Sequence, residues 1–342
     1  MPLDLQILST EHLIFFAVAF VLVYSLIGLV LKYWPAALTK TLPRPQVRYA
    51  GGFLIVITVT LSLGAGLPLN LYLGLLLAGA ITIIAGSRDE EQPASPIEQL
   101  AWQLSIILVV LLAGWTILFV SNPLGEGIMY LDNQTFGPLV FPGSIITVVW
   151  LLVIINAMNW LDGVDGLAAG VGLVAFITLA AVSLLPSIRD YQTLRLSLIG
   201  AGAVLGFLLW NFPPAKVFLG TSGSWWLGLL LGLVALLGGG KIATTVLVLA
   251  LPVLDLVSVI GQRVAQGIPP WQGDRRLHLH HRLTANGISG RTITLGAIAA
   301  TGALGLAAVT LQTTHKLAAA LVAIALIAVV FLGASLKTRS ST

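Results

Sequence analysis

Long apolar runs separated by short polar segments dominate the chain. Eleven runs, near 13–31, 51–67, 69–85, 100–120, 143–157, 166–185, 194–211, 224–238, 240–262, 291–310 and 316–336, can each be read as a helix. Each holds roughly 15 to 23 residues, about the length that crosses a ~30 Å hydrocarbon core. The first run reads as a span and not as a signal peptide, because residues 1–13 carry Asp4 and Glu11 and no basic residue. The pattern predicts an all-α integral membrane protein with about 10–11 transmembrane helices. No repeat of fixed period and no low-complexity linker interrupts it, so residues 1–342 read as one polytopic domain.

Composition agrees with this pattern. Of 342 residues, 57% are hydrophobic and 9% charged, and the mean hydropathy is +1.00. A soluble domain carries about 25% charged residues. The absence of cysteine excludes disulfide and thiolate chemistry. A net charge of +4, spread along the chain, forms no nucleic-acid patch.

Basic residues set the expected orientation. With the N-terminus outside, segments 32–50, 86–99, 158–165, 212–223, 263–290 and the C-terminus face the cytoplasm. These segments and their flanks hold Lys32, Lys40, Arg44, Arg48, Arg88, Lys216, Arg263, Arg275, Arg276, Arg282, Arg291, Lys337 and Arg339. Only Arg189, Arg195, Lys241 and Lys316 lie on the other side, a bias that satisfies the positive-inside rule. Asp89, Glu90, Glu91, Glu98, Asp162, Asp165, Asp255 and Asp274 fall on the same cytoplasmic side. A site for a water-soluble cytoplasmic substrate needs that arrangement.

Four segments carry readable chemistry. In "NAMNWLDGVDGLA", Asn156 and Asn159 share a helix face, and Gly163 and Gly166 are placed to end the helix and bend Asp162 and Asp165 back toward the amides. Amides and carboxylates together supply hard oxygen ligands for Mg²⁺ and acceptors for a base or sugar, and polar groups at a membrane edge are costly unless used. In "GSRDEEQPASPIEQ", Asp89 and Glu90 repel one another unless a cation lies between them. Ser95, Pro96 and Glu98 read as a capping box, with Glu98 reaching back. In "GFLLWNFPPAKVFLGTSGS", Asn211 leaves the membrane, and Thr221, Ser222 and Gly223 offer backbone N–H groups for a phosphate ahead of the next helix. In "QGDRRLHLHHRL", Arg276, His278, His280, His281 and Arg282 suit a diphosphate better than zinc, because nearby arginines repel a cation. A basic segment touching anionic lipid headgroups is the simpler reading of the same residues.

In this order the segments resemble the polyprenyl-phosphate N-acetylhexosamine-1-phosphate transferases (glycosyltransferase family 4), which include the phospho-N-acetylmuramoyl-pentapeptide transferases and the N-acetylglucosamine-1-phosphate transferases. The resemblance runs from Arg48 to Leu283. It is strongest in "NAMNWLDGVDGLAAG", which matches N-x-x-N-x-x-D-G-x-D-G-L-A at every fixed position, and continues in "GFLLWNFPPAKVFLG", "LPVLDLVSVIGQR" and "HLHHRL". It implies transfer of a sugar-1-phosphate from a UDP-sugar to undecaprenyl or another polyprenyl phosphate, with UMP released, at the cytoplasmic face of the plasma membrane. The implied cofactor is Mg²⁺, with Mn²⁺ as a substitute, and the implied setting is peptidoglycan, lipopolysaccharide or another surface glycan. Asp89, Glu90, Asp162 and Asp165 are then the catalytic candidates. Asn159, Asp89 and Glu90 are the metal candidates, and Asn156, Asn159, Gly166, Asn211, Thr221, Ser222, Gly223, Arg276, His278, His280, His281 and Arg282 the substrate-binding ones. A homodimer is compatible with such a bundle, although no motif specifies it.

The chain departs from the family pattern at four points. The paired aspartates read Asp89-Glu90, the basic residue ten positions after the first is Gln99, and the magnesium-binding aspartate of G-D-x-G-S is Thr221. Asp274 lies four residues before His278 instead of three. Three readings follow: a working transferase in which Glu90 or Asp165 reaches in for the missing aspartate, a non-catalytic relative that binds nucleotide sugar or polyprenyl phosphate as a regulatory or assembly subunit, and a transporter. The one-sided placement of the polar groups argues against the transporter.

Overall fold

A computed structural model describes residues 3–4, 8–33, 50–63, 66–122, 127–237, 241–271, 277–311, 315 and 322. The helices are α1 (Thr10–Tyr33), α2 (Ala50–Leu63), α3 (Leu69–Glu91), α4 (Pro96–Leu112), α5 (Gly143–Leu161), α6 (Leu167–Ser183), α7 (Tyr191–Asn211), α8 (Gly220–Leu236), α9 (Ile242–Val248), α10 (Ala250–Ala265), α11 (Leu279–Ala285) and α12 (Gly290–Thr310). Among the described residues, α1, α3, α5, α7 and α12 are each long and apolar enough to cross a membrane, and α2, α4, α6 and α8 are shorter apolar helices. The protein is a multi-pass helical membrane protein. Ten of the eleven expected runs coincide with helices; the run at 316–336, like most of segment 32–50, lies outside the described residues.

The run at 240–262 is not one straight span. It is two helices, α9 and α10, bent by 75° at Leu249. Pro252 lies three residues beyond the bend. Its ring cannot donate to the carbonyl of Val248 and crowds it, so the helix breaks there.

Two short antiparallel hairpins occupy the segment between α4 and α5; the run expected as a helix over 100–120 stops at Leu112, and its last residues enter the first strand. The hairpins pair β1 (Phe119–Ser121) with β2 (Ile128–Tyr130), and β3 (Asp132–Phe136) with β4 (Leu139–Pro142). Strands of 3–5 residues are too short to show a period of two.

Helix α8 is the axis of the bundle. It packs against α2, α3 and α5, and every residue from Ser222 to Ala235 is buried. Small residues permit the close approach: a Cβ on Gly86 of α3 would strike Ser222, and one on Gly52 of α2 would strike Leu219 and Gly223. Because the axis begins at Gly220, its first turn sits amid the ends of α3 and α5, and that position defines the site.

Candidate functional site

Four of the polar segments meet at one end of the bundle. α5 ends at Leu161, Asp162 caps it, and Gly166 takes a left-handed conformation at φ 72° that turns the chain into α6. Gly163 serves a different need: a Cβ there would run into the imidazole of His280. The aspartate turn and the histidine segment are thus in direct contact.

The carboxylates lie around the start of α8. Asp162 faces the backbone N–H of Gly220, and Glu90 faces those of Thr221 and Ser222. Burial pushes the Asp162 carboxyl well above the usual carboxylate range, and the charges of Asp165 and Glu90 push the same way against the pull of Gly220. One oxygen of Glu90, Oε1, is buried without a hydrogen-bond partner. The segment expected as a loop that cradles phosphate is in fact the first turn of α8. Its N–H groups are directed at the protein's own carboxylates, which complement the positive end of the helix. Ser222 is fully buried and Gly223 lies against Gly52 and Leu219, so both serve packing.

Asp89 sits in a hydrogen-bonded set. Its Oδ2 accepts from Thr221 Oγ1 at 2.5 Å, and its Oδ1 accepts from Gln99 Nε2 and the Ala94 N–H, each at 3.0 Å. Two departures from the family pattern, Gln99 and Thr221, therefore touch the same carboxylate. Ser95 caps α4 as expected, accepting from the Glu98 N–H at 3.2 Å behind Pro96. The other half of the capping box does not form, because the Glu98 side chain pairs with Arg88 at 2.7 Å. A guanidinium is a stronger partner for a carboxylate than a backbone N–H.

Several expected substrate ligands hold the scaffold. Asn156 and Gln103 of α4 exchange amide hydrogen bonds at 2.8 and 3.2 Å. Asn159 Oδ1 accepts from Ser224 Oγ at 2.9 Å. Asn211, buried at the end of α7, accepts from the Gly166 N–H at 2.9 Å and donates to the Val217 carbonyl at 2.8 Å. Asp165 Oδ2 accepts from the Ala215 N–H at 2.9 Å, fixing the turn after Pro213 and Pro214.

The histidine segment is ordered by Asp255, an acid on α10 that stood out in the sequence only as part of a longer match. Asp255 Oδ2 meets His278 Nδ1 at 2.7 Å, and its Oδ1 accepts from the Leu279 N–H at 2.8 Å. Trp160 presents its ring edge-on to His278, and Arg263 lies over Trp160. His280 and His281 rings lie 4.3 Å apart. Burial, then the neighbouring His281, holds the His280 pKa down to about 4. Arg282 donates to Gln262 on α10; Arg276 lies outside the described residues. A single acid inside an apolar helix is the signal that marks Asp255. Trp160 and Arg263 carry no such signal, since their partners come from elsewhere in the chain.

Fold and site together define a polytopic membrane protein with carboxylates, amides and imidazoles gathered at one end of the bundle. The family model "Glycosyl transferase family 4" matches residues 72–239. The chain is 32% identical over 260 residues to a Bacillus subtilis protein named "Probable undecaprenyl-phosphate N-acetylglucosaminyl 1-phosphate transferase", covering 74% of this chain and 68% of that one. It is 32% identical over 246 residues to the decaprenyl-phosphate N-acetylglucosaminephosphotransferase of Mycobacterium tuberculosis, covering 64% of this chain and 58% of that one. A phospho-N-acetylmuramoyl-pentapeptide-transferase of Rubrobacter xylanophilus is 38% identical over 111 residues, 32% of this chain and 33% of that one. The chain belongs to glycosyl transferase family 4.

Proposed function

We propose that the protein transfers an N-acetylhexosamine-1-phosphate from a UDP-sugar to a polyprenyl phosphate, releasing UMP, on the cytoplasmic side of the membrane. The supporting observation is the contact between the Asp162–Asp165 turn and His280, in a chain whose relatives are named for transfer to undecaprenyl and decaprenyl phosphate. The basic residues flanking this end support its cytoplasmic orientation.

A divalent cation, Mg²⁺ or Mn²⁺, fits the donors on one side of the site. Glu90 keeps a buried oxygen without a partner, Asn159 supplies an amide oxygen whose second lone pair is left beside its bond from Ser224, and Asp162 adds a carboxylate. Among the described residues no three His, Asp or Glu side chains are already gathered to enclose an ion, so substrate phosphates would complete its shell. When bound, the ion would withdraw charge from the diphosphate. The chain's own residues hold and orient. A lipid phosphate with a second pKa near ~6 is already largely dianionic at neutral pH and needs no strong base. Asp165 secures the turn at Ala215, Asp255 fixes His278, and neutral His280 offers hydrogen bonds without adding charge. Positioning and charge neutralisation are the main demands of phosphoryl transfer.

Purified protein given labelled UDP-N-acetylglucosamine, undecaprenyl phosphate and Mg²⁺ should form labelled lipid and UMP. No turnover with any UDP-N-acetylhexosamine would overturn the proposal. A second reading, a non-catalytic relative that binds nucleotide sugar or polyprenyl phosphate, draws on the hydrogen bond from Thr221 to Asp89. Binding of labelled UDP-sugar without turnover would select it.

A further inference from the structure

We infer that Thr221 and Gln99 are positioning residues that satisfy Asp89 from within the protein, so that Asp89 anchors the first turn of α8 to the end of α3 and does not ligate metal. The cation side of the proposed site is then left to Glu90, Asn159 and Asp162.

Two adjacent carboxylates differ in how completely the protein satisfies them: both oxygens of Asp89 have donors, whereas Oε1 of Glu90 has none. An ionised carboxylate has roughly four acceptor positions. In Asp89 three are filled: Thr221 Oγ1 donates at 2.5 Å to one oxygen, and Gln99 Nε2 and the Ala94 N–H donate at 3.0 Å to the other. Hydrogen bonds to an ionised acceptor are about twice as strong as neutral ones, so this set stabilises the Asp89 charge without a cation. Glu90, the next residue, has a buried oxygen with no partner. Both carboxylates thus meet the first turn of α8, Glu90 through the backbone N–H groups of Thr221 and Ser222, but only Glu90 keeps an oxygen with no partner for a cation.

The location gives the division a purpose. Thr221 precedes Ser222, which is fully buried where α8 meets Gly86 of α3. Were the link between α3 and α8 made through a metal ion, the packing of the central helix would change with occupancy. A threonine hydroxyl makes it permanent, and an ion can come and go beside it without loosening the bundle.

The test uses the full chain in detergent, first with EDTA. Thr221→Val and Asp89→Asn should each lower the Tm by several degrees, the double variant should melt no lower than the worse single one, and Thr221→Ser should restore most of the loss. If Asp89 were a metal ligand, Asp89→Asn would relieve repulsion with Glu90 and raise the metal-free Tm. Mn²⁺ alone is then titrated by electron paramagnetic resonance. Asp89→Asn should bind it as tightly as wild type, whereas Glu90→Gln should weaken binding about tenfold or more. A raised Tm, or tenfold weaker Mn²⁺ binding in Asp89→Asn, overturns the inference. If wild type binds no Mn²⁺, the metal in the proposed function fails, while the melting series still decides the role of Thr221. Neither measurement needs turnover, so failure of the transferase reading shows separately.

Discussion

The two ends of α7 place charged side chains in opposite circumstances. At its start, Asp190 caps the helix, accepting from the Thr193 N–H at 3.0 Å and Oγ1 at 2.7 Å. Lys241 is fully buried there, bonding Asp190, Thr193 Oγ1 at 2.7 Å and the Leu237 carbonyl at 3.0 Å. The buried lysine has its counterpart charge. At the end of α7, beyond Asn211, the site gathers Asp89, Glu90, Asp162 and Asp165, and none makes an ion pair among the described residues. Buried charge is tolerated when it is paired and hydrogen-bonded. A half-buried group of carboxylates with no paired cation among the described residues is therefore the end with room for a ligand that is not protein.

The comparison can be broken in four ways, the largest effect first. Asp162→Asn or Asp165→Asn should cut lipid-linked product formation by about three orders of magnitude, with melting close to wild type; assays with labelled UDP-sugar and a thermal melt check both halves. Lys241→Met should do the reverse, removing one partner of a buried pair at a cost of about 3–5 kcal/mol while turnover per folded molecule stays the same. Denaturant unfolding in detergent measures the first quantity, and lost turnover would mean the two ends are coupled.

The third contrast is in pH. Burial lowers the His280 pKa from 6.5 to about 4, so the unfolded chain takes up a proton that the folded one refuses. Stability should fall as pH drops through that window, and His280→Gln should flatten the fall. Asp190 has its pKa lowered: burial alone would raise it, but the hydrogen bond and charge of Lys241 outweigh that. Its contribution should persist until the pH drops below the ordinary carboxylate value of about 3.9. Melting curves across acid pH for wild type, His280→Gln and Asp190→Asn separate the two. The smallest effect belongs to Arg88→Gln, which breaks the half-exposed pair with Glu98 and should change stability by no more than about 1 kcal/mol.

Much of the fold was legible because lipid imposes a length. Ten apolar runs became helices at nearly their expected positions, since a crossing segment must satisfy its own backbone whatever its neighbours are. The run through Pro252 was legible only as apolar, because hydropathy is blind to the bend at Leu249. In the site, "NAMNWLDGVDGLA" announced its carboxylates and its turn. It did not show that Asn156 would be spent on Gln103, or Asn211 on Gly166 and Val217, because an amide alone says nothing about its partner. Thr221 looked like a missing ligand when set against a pattern. Next to Asp89 it is a donor with a partner.

The sequence by itself therefore determined the class: a chain that must lie in a membrane, with its acid, amide and histidine motifs on one side, and with motifs of a particular family. Those follow from local composition and short spacing, which depend on no distant contact. Tertiary structure alone decided which polar groups are consumed by the scaffold and which are left for a ligand. That choice depends on helices α3, α5, α8 and α11 meeting at one point, and on hydrogen bonds between residues as far apart in sequence as Asp89 and Thr221.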